Sequence, residues 1–108
     1  MLKDQKKAKL VIKRGADINM RSFAGETPIM MAVRYGLIEV LRALVASGAD
    51  LNEKNYRSDS LLHLAARTDH ADIIGYLLDQ GLSTLDRNRE GQKPADLASR
   101  PGIKMLLS

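Results

Sequence analysis

The sequence has no cysteine and no tryptophan, a single phenylalanine, three tyrosines and three prolines. Without cysteine there is no disulfide and no thiolate metal site, although a cysteine-free chain fits any redox compartment. So few aromatic residues are poor material for a β-sandwich. No apolar run approaches the ~18 residues of a membrane span, and the opening MLKDQKKAKL has charge where a signal peptide needs its apolar stretch. These absences point away from membrane and secretion and predict an intracellular location, cytoplasmic or nuclear.

What is present is helical material. The chain has 108 residues, enough for one domain, and 44% of them are hydrophobic, mostly Leu, Ala, Ile and Met. Its net charge is +4, from 17 Lys and Arg against 13 Asp and Glu, so the placement of charge matters more than its size.

The chain also repeats itself. IKRGADIN at 12–19 returns as VASGADLN at 45–52, and again as the degraded LDQGLSTL at 78–85, with one constant period. In that register Gly15 lies over Gly48 and Gly81, Thr27 over Ser60 and Lys93, Pro28 over Leu61 and Pro94, and Ala32 over Ala65 and Ala98. Each period holds two short helices. The first, about Thr27 to Arg34, starts with a capping hydroxyl at Thr27 and a proline at the first helical position, where the missing N–H costs nothing. The second, about Ile38 to Ala46, aligns Val40, Leu41, Leu44 and Val45 on one face, and its copy aligns Ile73, Ile74, Leu77 and Leu78. Gly48 and Gly81 end these helices. The link GADLNEKNYRSD is then an extended turn.

Gly-x-Thr-Pro, Ala at the fifth residue after Thr, an apolar helix ending in Gly-Ala-Asp-x-Asn and a period of 33 together resemble the ankyrin repeat. The resemblance implies an all-α solenoid of stacked helix-turn-helix units with hairpin-like turns. It divides the single domain 1–108 into an N-terminal half repeat or cap at 1–21, repeats at 22–54 and 55–87, and a shortened C-terminal capping repeat at 88–108. The repetition then has a physical cause: each helix pair buries a face only by stacking on the next, so Ala32, Ala65, Leu44 and Leu77 belong between units. Pro101-Gly102 is expected to shorten the last interhelical turn.

Departures from the family pattern are informative. Met30 stands where such repeats usually have His, whereas the second repeat keeps His63 behind Ser60 and Leu61. The family's bond between that His and the capping hydroxyl is therefore expected at Ser60 and His63, and not at Thr27.

Candidate chemistry is thin. Asp59, Ser60 and His63 contain the ingredients of a nucleophilic triad, but Ser60 and His63 fit helix-start hydrogen bonding and no Gly-rich oxyanion loop accompanies them. His63, Asp69, His70 and Asp72 read as structural rather than as metal ligands. No catalytic, metal or cofactor site is therefore expected. Asn52, preceded by Leu44, Asp50 and Leu51, resembles the site that asparaginyl hydroxylases modify in some ankyrin proteins; the alternative is that it bridges backbone groups of the turn.

In ankyrin proteins partners usually meet the turn tips and the exposed side of the first helices. Here those places form columns one period apart: Arg34, Arg67 and Arg100; Arg21, Lys54 and Arg87; Phe23, Tyr56 and Arg89; Ala24, Arg57 and Glu90; and Glu26, Asp59 and Gln92. They hold eight basic residues against three acidic, a surplus of five, with aromatic residues at two tips and Tyr35 beside Arg34. Solvating a turn requires neither Phe23 nor Tyr56. The resulting expectation is a monomeric protein-protein interaction module for an acidic partner, contacted by Arg21, Phe23, Arg34, Tyr35, Lys54, Tyr56, Arg57, Arg67, Arg87, Arg89 and Arg100, whose side chains support no core. The alternatives are a nucleic-acid-binding basic surface, for which the charge falls short of a phosphate-tracking stripe, and a structural piece of a longer array.

Overall fold

The structure is a computed structural model that describes residues 21–23 and 25–108. The half repeat expected at 1–21 lies, apart from Arg21, outside the described residues, as do Gly15, Asn19 and Ala24.

All regular structure among the described residues is helical: α1 (Pro28–Arg34), α2 (Ile38–Ala46), α3 (Leu61–Thr68), α4 (Ala71–Asp79), a 3₁₀ turn Pro94–Leu97, and α5 (Pro101–Leu106). The helices pair as α1 with α2 and α3 with α4, and the stack is built by α1 on α3 and α3 on the 3₁₀ turn. The constant offset of α3 from α1, and of α4 from α2, is the sequence period made visible.

Each helix is short because its start and end are both written into the chain. Pro28 opens α1 behind Thr27, whose extended backbone (φ −85°, ψ 167°) is repeated at Ser60 (φ −85°, ψ 176°). Beyond α1 the chain turns at Gly36, and beyond α3 at Asp69, both left-handed (φ 72° and 56°). The ring of His70 packs on Gly36 so closely that a Cβ there would lie 2.7 Å from it, which ties the α3–α4 turn to the α1–α2 turn. Glycine at 36 thus serves both the backbone angle and the contact.

The core is the stripe expected from the spacing. Val40, Leu41, Leu44, Ile73, Ile74 and Leu77 are buried, as are Ala32 and Ala65, whose small side chains let α1 and α3 approach. Each fully buried Leu or Ile contributes about 1.5–3 kcal/mol, so a few such residues per unit suffice only because both faces of the middle unit are covered.

Two expectations fail locally. Thr27 occupies the cap position, but its hydroxyl makes no cap bond and is buried without a partner. In the last unit the first helix shrinks to the 3₁₀ turn, while Pro101 opens α5 and Gly102 lies within it. The shortening therefore falls on the first helix rather than on Pro101-Gly102: proline again takes the first helical position, where it costs nothing.

Candidate functional site

The turns before the first helices are built by one device used three times. Asn55 Oδ1 accepts the N–H groups of Arg57 and Asp59 at 2.9 and 3.0 Å, and Asn88 Oδ1 those of Glu90 and Gln92 at 3.0 and 2.9 Å. Ser22 Oγ accepts from Glu26 N–H at 3.3 Å in the third copy. Four residues along, the main chain closes back: Ser22 N–H to Glu26 O, Asn55 to Asp59, and Asn88 to Gln92. The tip residue is left-handed in each, at Gly25 (φ 77°), Ser58 (φ 62°) and Gly91 (φ 76°). Short polar side chains at 22, 55 and 88 thus hold the tips in one shape. Their recurrence once per period is the signal that the sequence offers, and it is obscured because they sit one place beside the basic columns.

Neighbouring turns are stitched together. Arg89 N–H donates to Arg57 O at 2.9 Å, and Asn88 Nδ2 to Asp59 Oδ1 at 2.9 Å. His63, wholly buried, spans the same gap: its Nε2 lies 2.7 Å from Gln92 O, which can only accept, so Nε2 carries the proton. Nδ1 is then the acceptor for Ser60 N–H at 3.0 Å and lies 2.8 Å from the Ser60 hydroxyl. Ser60 and His63 form the expected cap. Asp59 faces Arg67 and Asn88 instead of His63, so the three do not assemble as a triad.

The basic residues divide into two groups. Most are held by neighbouring groups: Arg34 pairs with Glu26, Arg67 with Asp59 at 3.4 Å, Lys54 with Asp86 at 3.8 Å, and Arg100 with Asp69 at 3.8 Å. Arg21 pairs with Glu53 and donates to Gly25 O at 2.6 Å and Lys54 O at 3.1 Å; Arg87 donates to Gly91 O at 2.6 Å. Arg57 and Arg89 are exposed and have no ion pair or side-chain hydrogen bond among the described residues.

This corrects the charge count. Glu26 and Asp59, taken as surface acids, are 4% and 1% exposed, and the guanidinium groups of Arg34 and Arg67 cover them. Those two arginines therefore do support the interior, because a carboxylate withdrawn from water needs a cation and hydrogen bonds. Arg100 is not at the end of a first helix but is the N-cap of α5. With the first helix of that unit reduced to one turn, the third member of the column Arg34, Arg67 and Arg100 is displaced.

A cleft of about 380 Å³ runs between the units, lined by Glu26, Arg34, Asn55, Arg57, Asp59 and Arg67 with Leu64 and Thr68. Three aromatic residues stand clear of the surface: Phe23 is fully exposed, and Tyr35 and Tyr56, next in sequence to the cleft residues Arg34 and Arg57, are 64% and 58% exposed. Tyr56 nevertheless has a seat, since its ring rests on Gly25 of the preceding turn. A smaller cavity of about 240 Å³ is lined by Leu51, Asn52, Lys54, Ser60, Leu82, Ser83 and Asp86. Asn52 is exposed there, its N–H bound by Asp50 Oδ1 at 2.8 Å while its own side chain makes no hydrogen bond among the described residues.

No group of three or more His, Cys, Asp or Glu suited to a metal ion occurs among the described residues, and no helix there is long and apolar enough to cross a membrane. Two family models match the chain: ankyrin repeats (many copies) over residues 11–61, and ankyrin repeat over residues 58–89. A search of curated proteins finds no match.

Proposed function

The chain belongs to the ankyrin repeat family, whose repeats are generally protein-protein interaction modules rather than enzymes, and from that premise we propose that it binds the acidic segment of a protein partner. The contact is made by the turn tips and the cleft, through Arg21, Phe23, Arg34, Tyr35, Lys54, Tyr56, Arg57, Arg67, Arg87, Arg89 and Arg100. One observation supports this reading above others: Phe23, Tyr35 and Tyr56 are exposed beside arginines. Aromatic and arginine side chains carry interface energy, and nothing in the fold requires an exposed Phe23.

The proposal includes a monomeric chain that works inside the cell without catalytic or cofactor chemistry. A nucleic-acid surface is the weaker reading. Six of the eight cations in the columns are held by the chain's own carboxylates or carbonyls, and a backbone-tracking surface needs several free ones.

Affinity capture with the intact chain beside a Phe23→Ala/Tyr56→Ala variant tests the proposal. A partner held by the intact chain, released as salt rises and lost by the variant is the expected result. Identical capture by both, or capture abolished by nuclease, would overturn it.

A further inference from the structure

We infer that the docking centre is narrower than the basic face, and that Tyr56, Arg57 and Arg89 form a receptor for an extended acidic segment with carboxylates on alternate residues. This rests on the protein-binding reading above and names what that site takes.

The first argument is availability. Of the eight expected cations, Arg57 and Arg89 are those whose heads are engaged neither by a carboxylate nor by a carbonyl among the described residues. An incoming carboxylate at Arg34 or Arg67 must compete with Glu26 or Asp59, each already buried beneath its arginine. At Arg57 and Arg89 it meets no competing carboxylate or carbonyl among the described residues.

Spacing is the second argument. The main chains of the two tips are joined directly, Arg89 N–H to Arg57 O at 2.9 Å, so at that point the two backbones lie about 5 Å apart. In an extended peptide the side chains of residues i and i+2 share a face and lie about 7 Å apart. Two flexible guanidinium groups on adjacent backbones can fork onto two such carboxylates at once. Adjacent acids would point to opposite faces and engage one arginine only.

The third argument is the apolar neighbour. Tyr56 precedes Arg57 and is 58% exposed, yet its ring is seated on Gly25 rather than loose in solvent. A ring already held in place loses little freedom when covered. Arg57 also lines the cleft, so the receptor runs from an aromatic wall, past one free guanidinium at the cleft mouth, to a second on the next tip. The matching segment carries an apolar residue two places from its acidic pair, on the same face.

The test uses the full chain and a fluorescein-labelled peptide containing Leu-Ser-Asp-Ser-Asp in a Gly/Ser background, read by fluorescence anisotropy at low ionic strength. Arg57→Gln and Arg89→Gln should each weaken binding about 3- to 10-fold, and the double variant more than either. Arg42→Gln removes the same charge from an exposed residue of α2, outside the contact set, and should change affinity less than about 2-fold. A peptide with its two Asp adjacent should bind the parent more weakly and lose less on mutation. If Arg42→Gln costs as much as Arg57→Gln, binding follows overall charge and this receptor is wrong, while the acidic-partner reading stands. If the parent ignores both peptides, the receptor and the acidic partner fall together. Equal binding of a single-stranded oligothymidylate of the same charge would overturn it in favour of a general anion surface.

Discussion

The guanidinium of Arg67 stands 3.4 Å from the carboxylate of Asp59, which is 1% exposed and also holds the side-chain amide of Asn88 at 2.9 Å. One buried acid thus fastens the end of α3 to its own turn and to the next. Removing the cation leaves that charge with neutral donors alone, so Arg67→Ala should cost about 1–2 kcal/mol; Arg67 is a third exposed, which keeps the figure below that of a fully buried pair. Arg67→Glu should cost more. Arg57→Ala, on the same cleft and without an ion pair among the described residues, should shift stability by less than about 0.5 kcal/mol. Urea melts of the three variants check this, and equal midpoints for Arg67→Ala and Arg57→Ala would remove the structural role.

His63 is a cross-link as well as a cap. Its ring nitrogens serve Ser60 N–H on one side and Gln92 O in the next unit on the other. His63→Ala should therefore cost about 2–4 kcal/mol, the sum of two buried groups left unpaired and a cavity. His63→Gln, which can restore one bond, should cost about half as much. If His63→Ala melts with the parent, the link between units is carried elsewhere.

Much of this architecture is legible in the sequence, and the reasons are local. A constant period, a proline at the first helical position and apolar doublets four residues apart are determined by neighbours along the chain, and they place α1 to α4 within a residue. The last unit is not so legible, because Pro101 reads equally as a turn residue or as a helix start. The site is legible in composition but not in accounting. Arg34 and Glu26 are eight residues apart and Arg67 and Asp59 also eight, so each pair is visible as a spacing; that the acid is buried and the arginine consumed depends on the neighbouring unit, which covers the carboxylate. The Arg57–Arg89 relationship is wholly between units. Nothing in either turn alone announces it.

Thr27 is a cap without its partner. Its hydroxyl is buried and unbonded, and the residue three places on is Met30, where the next unit has His63. Met30→His should give the hydroxyl an acceptor and direct Nε2–H towards the Asp59 carbonyl, which lies one period before that of Gln92. An orphaned buried hydroxyl costs about 1–3 kcal/mol, so a gain of about 1 kcal/mol is expected after the lost methionine packing. A loss of that size in a thermal melt would show that the two units are not interchangeable here.

Ser58 carries φ 62° where the flanking copies have Gly25 and Gly91. A side chain in this region costs about 1 kcal/mol, so Ser58→Gly should stabilise by about 0.5–1 kcal/mol without touching the Asn55 turn. Unchanged or lowered stability would mean that the serine has a compensating role.

Gly25 joins fold to function. Its φ of 77° makes any side chain costly, and a Cβ would lie 2.5 Å from the Tyr56 ring, so the ring must leave its seat. Gly48 has φ 92° but open space around it, and Gly48→Ala therefore measures the backbone cost alone, about 1–2 kcal/mol. Gly25→Ala should cost more than Gly48→Ala by the lost packing of the ring, about 1 kcal/mol further. In a Tyr56→Ala background that excess should vanish, because there is no ring to displace, and the double-mutant cycle isolates the contact. The same displacement should weaken binding of the acidic peptide by Gly25→Ala and leave Gly48→Ala at parent affinity. An excess that persists without Tyr56 would place the strain in the turn itself, and unaltered peptide binding by Gly25→Ala would show that the ring need not be held in place to serve as the aromatic wall.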